Sequence, residues 1–300
     1  MNNRRIIFVP GKNPKPPPVQ HSELLWRALL EGVQRADPDC YQDLSQHVKQ
    51  FQLAAWTYLY YEQNKDISRD LPWIDALVNT HITSAADIRE AHAWHRKLDS
   101  LFILLADTFP FIIQLLPKPI SMSITETKRY FDNGNNIACQ IRELLKQQLR
   151  TALSNNEKIL LIGHSLGSVI AYDTLWELSH MEHFRGKIDM FLTIGSPLGV
   201  KYIQNRLMGH QWEGKKKYPT NINHWVNLSS VGDVVALDKV FSESFSSMLE
   251  LDIIKSIEDH CKGIYNFFRN EEGLNVHRSY GYLVNPAVGK VIADWWKQSA

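Results

Sequence analysis

The sequence has few cysteines, and none of them are paired at a metal-binding spacing. Cys40, Cys139 and Cys261 lie far apart and form no C-x-x-C motif, which argues against a disulfide framework and against a zinc ribbon. The chain also lacks an excess of charge, with a formal net charge of +1 over 300 residues. This balance gives no reason to expect nucleic acid as a partner. We interpret the short basic run at 215–217 as a solvated loop.

Long apolar runs are missing as well. Only four apolar residues separate the N-terminal arginines from Pro10, fewer than the roughly 7–15 of a signal peptide, so we expect a cytoplasmic protein. The most apolar stretch, 101–116, is divided by Asp107 and Pro110 and is shorter than the roughly 20 residues of a membrane span. We interpret it as one or two apolar helices of a cap, an inserted segment that covers the rest of the protein. An interfacial anchor over 98–119 that contacts a membrane surface stays as an alternative.

Short apolar runs alternate with amphipathic segments over most of the chain. The predicted strands are 4–9, 48–60, 158–162, 188–194 and 224–228, and the predicted helices are 22–34 (with Ser22 as N-cap), 125–154, 168–178 and 288–297. This alternation predicts an α/β protein, with a mostly parallel sheet covered by helices on both faces. Residues 66–119 read as helical and show no such alternation. We therefore expect a helical cap at 66–119, inserted into a catalytic core formed by 1–65 and 120–300.

The most informative motif is Gly163-His164-Ser165-Leu166-Gly167, which follows a buried-looking strand and precedes a helix. This is the G-x-S-x-G pattern in the setting that places a serine at the apex of a tight strand-to-helix turn. The flanking glycines let the strand and the helix pass close together. The turn exposes the hydroxyl and directs the next N–H toward the same point, as acyl transfer requires. Ser165 is therefore the candidate nucleophile.

A serine of this kind needs a histidine base, and the histidine needs a carboxylate that orients it. With this motif the chain order is serine, acid, histidine. Of the histidines after Ser165, His277 lies in a loop just before the final helix and is the best candidate. The expected positions of four of the others are less suitable: His180 and His183 at the far end of the following helix, His224 at the start of a strand, and His260 in a helical stretch.

Two aspartates compete for the role of the acid. Asp233 follows the predicted strand 224–228 within the turn SSVGD, where such an acid is expected. Asp238, five residues later, is the alternative. Asp252 and Asp259 fall in what we predict to be a helical insert.

An oxyanion hole requires two N–H groups that converge on the developing negative charge. The N–H of Leu166 is one candidate, and the loop after the first strand should supply the other. In that loop Gly11 permits close approach of the backbone, and Lys12 is the candidate donor.

Taken together, GHSLGSVIAYDTL, LTIGSPLG, the aspartate of VGDVV and the histidine of NVHRSYGYL resemble the α/β-hydrolase superfamily. More narrowly they resemble its lipase- and serine-esterase-like branch, similar to DDHD-type phospholipases and uncharacterised bacterial relatives. Two motifs depart from that pattern: VPG replaces the commoner apolar-HG, and GDVV replaces a D-P-V turn. The resemblance implies carboxylic-ester hydrolysis that requires no metal or cofactor.

The expected function is therefore that of a serine esterase or lipase acting on a small-molecule or lipid ester. The apolar cap favours a hydrophobic acyl group, with Gly11, His164, Phe102 and Phe109 as candidate substrate contacts. Two alternatives stay open. An acyltransferase would use the same triad, and a catalytically silent binding or scaffold protein would keep the fold alone. The sequence leaves the oligomeric state open.

Overall fold

A six-stranded parallel sheet runs through the centre of the protein. The computed structural model describes residues 3–80, 84–93, 126–233, 235–236 and 240–298. The strands are β1 (Arg4–Val9), β2 (Phe51–Leu53), β3 (Lys158–His164), β4 (Ile188–Ile194), β5 (Ile222–Leu228) and β6 (Ser256–His260), in the spatial order β2-β1-β3-β4-β5-β6. Every pairing between them is parallel. Their carboxyl ends therefore share one edge, where open α/β sheets bind ligands.

Alternate side chains of the central strands enter two separate cores. Ile7 and Leu161 belong to one core, whereas Ile6 and Leu160 belong to the other. Because successive side chains of a strand point to opposite faces, both faces of this sheet are buried. The prediction of a mostly parallel sheet covered on both faces is confirmed.

Helices of very different length surround the sheet. They are α1 (Pro18–Ala36), α2 (Pro38–Leu44), α3 (Thr57–Tyr61), α4 (Leu71–Asn79), α5 (Ala85–Ala91), α6 (Ile137–Ser154), α7 (Leu166–His180), α8 (Lys201–Gln204), α9 (Phe241–Ser244), α10 (Ser246–Glu250), α11 (Ser279–Leu283) and α12 (Pro286–Gln298). Helices α1 and α12 pack on one face of the sheet, and α6 and α7 pack on the other. A short hairpin, β7 (Arg269–Asn270) and β8 (Gly273–Leu274), lies outside the sheet. No helix in the described part of the chain is both long and apolar enough to cross a bilayer.

The predicted strand at 48–60 is mostly wrong. Only Phe51–Leu53 is a strand, and it is followed by the helix Thr57–Tyr61. The aromatic residues that suggested a strand serve other contacts: the indole N–H of Trp56 donates to the Pro10 carbonyl at 2.7 Å, and its ring packs edge-on against Tyr60. Tertiary packing of the aromatic rings thus outweighs their strand preference.

Two predicted helices begin elsewhere. Helix α1 begins at Pro18 and not after Ser22. Proline suits the first turn of a helix, because the N–H that it lacks would have no partner within the helix. The single helix expected over 125–154 is divided in two. A first helical stretch ends at residue 132, and α6 begins at Ile137. Asn133, Asn135 and Asn136 break the expected helix with positive φ values of 49°, 55° and 59°, a conformation that asparagine tolerates better than most residues.

The helical insert predicted around 252–260 is also wrong. Asp252 lies in a turn with φ 54°, and Asp259 and His260 belong to the strand β6. Ile257 pairs with Trp225 of β5, so a short run that reads as helical completes the sheet edge instead. The Asp259 carboxylate accepts the N–H groups of Phe241 and Ser242 at 2.9 and 2.8 Å, and so holds the start of α9.

The predicted cap at 66–119 lies mostly outside the described residues. Its described part contains α4 and α5, which attach to the core near the C-terminal segment. Asp70 pairs with Arg278 at 2.7 Å, and Arg269 of the hairpin pairs with both Asp87 and Glu90 of α5. The assignment of 66–119 as a separate cap stays a prediction.

Candidate active site

Ser165 occupies the sharp turn between β3 and α7. Its backbone has φ 53° and ψ −131°, values that a residue with a side chain rarely adopts. A Cβ on Gly167 would collide with the carbonyl oxygen of Val9, so only glycine lets α7 lie this close to β1. Ser168 steadies the turn, because its hydroxyl donates to the Ser165 carbonyl at 2.6 Å. Local strain of this kind costs about 1–3 kcal/mol and is characteristic of functional sites.

The structure places Ser165, His277 and Asp233 in one hydrogen-bonded line. His277 Nε2 lies 2.9 Å from Ser165 Oγ, and His277 Nδ1 lies 2.8 Å from Asp233 Oδ2. The three residues come from the end of β3, the turn after β5 and the loop before α11, so the parallel sheet brings together residues far apart in sequence. This geometry allows the imidazole to take the serine proton while the carboxylate holds its other nitrogen.

Asp233 is fully buried and is satisfied by several donors. Oδ2 accepts the Tyr282 hydroxyl at 2.6 Å in addition to His277, and Oδ1 accepts the Val235 N–H at 3.0 Å. Burial acts to raise the pKa of Asp233, but the charge and hydrogen bond of His277, with the bonds from Tyr282 and Val235, hold the pKa below its usual value. The carboxylate is therefore ionised at neutral pH.

Tyr282 is a site residue that sequence reasoning missed. Its buried hydroxyl accepts the Ser230 N–H at 2.8 Å while it donates to Asp233. Tyr282 thus links two segments: the turn that contains Asp233 and the helix α11, which follows His277. The sequence offers two nearby tyrosines, Tyr280 and Tyr282, and no pattern distinguishes the one that reaches Asp233.

His164, predicted as a substrate contact, lies against His277. The two rings have centroids 4.9 Å apart, and His164 Nε2 is 2.8 Å from the His277 carbonyl oxygen. Burial, and then the nearby positive charges of His277 and Lys15, hold the pKa of His164 well below its usual value. A neutral His164 can donate from Nε2 to that carbonyl and so supports the main chain of His277.

The loop after β1 is fixed beside the serine. A Cβ on Gly11 would lie 2.8 Å from His164 Nδ1 and 2.9 Å from Ser165 Cβ, so a side chain there would press on the site. The Lys12 carbonyl accepts Lys15 Nζ at 2.7 Å, and the Asn13 N–H donates to the Tyr61 hydroxyl at 2.9 Å. The loop therefore has the location expected of an oxyanion loop. The specific donors, the N–H groups of Leu166 and Lys12, stay predictions.

Three predicted residues lie outside the described part of the chain: the alternative acid Asp238 and the candidate substrate contacts Phe102 and Phe109. Trp73 and Leu77, in the described part of the predicted cap, line a cavity of about 610 Å³ together with Tyr265 and Phe267. Its described lining includes neither Ser165 nor His277.

Two histidines that follow Ser165 in the chain, His180 and His224, have partners away from the serine. His180 Nε2 is 2.7 Å from the Tyr218 carbonyl oxygen, and His224 Nδ1 is 2.8 Å from the Ser256 hydroxyl. Within the described ranges, no group of three His, Cys, Asp or Glu side chains is arranged to hold a metal ion.

Residues 136–213 match the family model of lecithin:cholesterol acyltransferase. This segment, about a quarter of the chain, contains Ser165 but neither Asp233 nor His277. No curated protein and no solved structure matches the chain. The matched family lies within the α/β-hydrolase superfamily, and with the parallel sheet described above it shows that the chain has the α/β-hydrolase fold. The narrower resemblance to DDHD-type phospholipases stays a prediction.

Proposed function

We propose that this protein is a serine hydrolase that cleaves carboxylic esters through an acyl-enzyme. The observation that carries the proposal is the hydrogen-bonded line from Ser165 through His277 to Asp233, on a strained strand-to-helix turn. A surface serine without such partners is a poor nucleophile at neutral pH.

In the proposed mechanism, Ser165 Oγ attacks the ester carbonyl carbon while His277 Nε2 takes the hydroxyl proton. The carbonyl oxygen becomes an oxyanion, which the N–H groups of Leu166 and Lys12 stabilise, each by about 3 kcal/mol. When the tetrahedral intermediate collapses, the C–O bond to the alcohol breaks and His277 gives its proton to the leaving oxygen. A water molecule, deprotonated by the same imidazole, then attacks the acyl-enzyme and releases the acid. Asp233 stays ionised and orients His277 throughout.

A hydrophobic acyl ester is the substrate class best supported. The family matched by residues 136–213 is named for acyl transfer from lecithin to cholesterol, both of them lipids. The same match favours a second candidate function, transfer of the acyl group to an alcohol instead of water. Both reactions pass through the same acyl-enzyme, so the acceptor alone distinguishes them.

The test is hydrolysis of p-nitrophenyl esters of increasing acyl length by the wild type, Ser165→Ala and His277→Ala. We expect faster turnover of medium and long acyl esters than of acetate, and loss of nearly all activity in both variants. Product analysis with an added long-chain alcohol then separates hydrolysis from transfer, because a new ester appears only if the enzyme transfers. A strict preference for acetate would contradict the hydrophobic substrate class. Undiminished activity in Ser165→Ala would contradict the mechanism.

A further inference from the structure

The loop beside the serine carries a lysine that the proposed mechanism does not use. Lys15 is half-buried, its Nζ donates to the Lys12 carbonyl, and its own carbonyl accepts the Lys65 N–H at 2.8 Å. The same loop contains Gly11, whose backbone lies against Ser165 and His164. Lys15 is therefore tied to Lys12, the residue next to the glycine whose backbone lies against Ser165.

Positive charge exceeds negative charge around Lys15. Arg278 and Lys65 share one carboxylate oxygen of Asp70, each at 2.7 Å, and Lys12 Nζ lies 3.7 Å from Glu126. Among the described residues, these three cations and Lys15 face two carboxylates, those of Asp70 and Glu126. No carboxylate in the described ranges lies within ion-pair distance of Lys15. Arg278 Nε is buried and has no hydrogen-bond partner among the described residues.

This positive field reaches the site. Burial lowers the pKa of Lys15 to about 7, and the charges of Arg278, Lys65 and Lys12 add to that effect. Lys15 in turn contributes to the lowered pKa of His164, whose ring contacts that of His277 at a tilt of 34°. A half-buried ammonium that has no counter-ion among the described residues is costly, and an anion bound beside it would offset that cost.

We propose that the ester substrate carries a carboxylate or phosphate group, which Lys15 binds beside Ser165 with Lys12 next to it. This inference rests on the proposed ester hydrolysis and specifies its substrate class. The half-buried position of Lys15 fits a single anionic group of a bound substrate better than the broad surface of an anionic membrane. Because the bond is charge-assisted, it is expected to favour the anionic substrate about tenfold or more.

The first arm of the test compares two esters of equal acyl length, p-nitrophenyl valerate and mono-p-nitrophenyl glutarate, which differ by a terminal carboxylate. We expect wild type to favour the glutarate ester in kcat/KM, and Lys15→Met to lose this preference while it still hydrolyses the valerate ester. Lys215→Gln, in the exposed basic run far along the chain, serves as the charge-matched control and should keep the preference.

The second arm uses inorganic phosphate, a free anion without an acyl chain, to probe the same site. Inorganic phosphate, at constant ionic strength, should inhibit valerate hydrolysis competitively and raise the melting temperature of wild type and Lys215→Gln but not of Lys15→Met. Phosphate inhibition without a preference for the glutarate ester indicates an anion site that the carboxylate of a five-carbon acyl group does not reach. A glutarate preference indicates a carboxylate on the acyl side. Either result, if it depends on Lys15, supports the proposal.

Other outcomes overturn it. If wild type hydrolyses the valerate ester but shows neither a glutarate preference nor phosphate inhibition, the anion site is absent although the hydrolase is real. If Lys15→Met lowers hydrolysis of both esters equally, the lysine supports the loop and does not select substrate. Should Lys15→Met fail to fold, Lys15→Gln replaces it in both arms. If folded wild type turns over neither ester, the proposed function itself fails, and the anion site fails with it.

Discussion

Asp233 owes its position to two side chains, of which only His277 belongs to the proposed triad. The hydroxyl of Tyr282 donates to the same carboxylate oxygen and also accepts the N–H of Ser230. This bond fixes the carboxylate in the plane where it can hold the imidazole.

At this scale we expect Tyr282→Phe to lower kcat about tenfold with little change in KM. The substitution keeps the buried ring but removes the hydrogen bond to Asp233, which is worth about 1.5–3 kcal/mol when the acceptor is charged. Ester hydrolysis measures the loss. Tyr280→Phe, in the same short helix and equally buried, is the control and should retain wild-type kcat.

If Tyr282 acts by positioning Asp233, the effect of its substitution should depend on that aspartate. Tyr282→Phe should lower kcat little or not at all when Asp233 is already asparagine, because the two changes act on one interaction. If the two losses multiply, Tyr282 supports the fold and not the acid.

Ser165, Asp233 and His277 were accessible from the sequence because a known chain order and the predicted strand ends restricted the choice. Tyr282 was not, because its contact depends on the direction in which a five-residue helix leaves the histidine loop. The support of His277 by His164 was missed for a similar reason: only the packed structure shows the two rings together.

At the scale of elements, the contact between the β1 loop and the start of α7 determines the geometry of the site. Gly167 lies where a Cβ would meet the carbonyl oxygens of Val9 and Pro10. Backbone atoms cannot move aside as a flexible side chain can, so any added atom must push α7 or the loop away.

We therefore expect Gly167→Ala to reduce ester hydrolysis by about a hundredfold, since a displacement of 1 Å at a reacting group can cost that much. The variant should also melt at lower temperature, as overpacking destabilises cores. Gly134→Ala is the matched control, because a Cβ there would meet nothing within 4 Å. Equal activity of the two variants would show that the close approach is unimportant.

The strands that sequence reasoning located correctly are the ones buried on both faces. β1, β3, β4 and β5 read as short, continuous apolar runs, as central parallel strands do. The edge strands were predicted wrongly: β2 as part of a longer strand at 48–60, and β6 as part of a helical insert. One is only three residues long, and the other carries Glu258, Asp259 and His260, so neither has the apolar signal of a central strand.

At the scale of the whole protein, a buried polar network couples stability to pH. Asp173 of α7 accepts the Tyr130 hydroxyl at 2.9 Å and the Met208 N–H at 2.8 Å. Burial raises the pKa of Asp173 to about 7, although the Met208 N–H and the charge of Arg142 act to lower it. At pH values between the ordinary pKa of an aspartate and this raised pKa, Asp173 holds a proton in the folded protein that it has released in the unfolded chain.

The contribution of Asp173 to the free energy of unfolding must therefore fall as pH rises from about 4 to about 7. We expect the melting temperature of wild type to fall more between pH 5 and pH 8 than that of Asp173→Asn, which cannot ionise. The exposed Asp132→Asn should follow wild type. Parallel curves for wild type and Asp173→Asn would mean that Asp173 stays ionised in the folded protein.

The most direct test of the central claim is covalent labelling by a fluorophosphonate, followed by mapping of the modified peptide. The reagent reacts much faster with an activated serine than with an ordinary one, so it reports the assembled site without knowledge of the substrate. We expect the label on Ser165 in wild type, none in Ser165→Ala, and little or none in His277→Ala. A folded wild type that takes up no label, or a label that persists in Ser165→Ala, would contradict the assignment of Ser165 as the nucleophile.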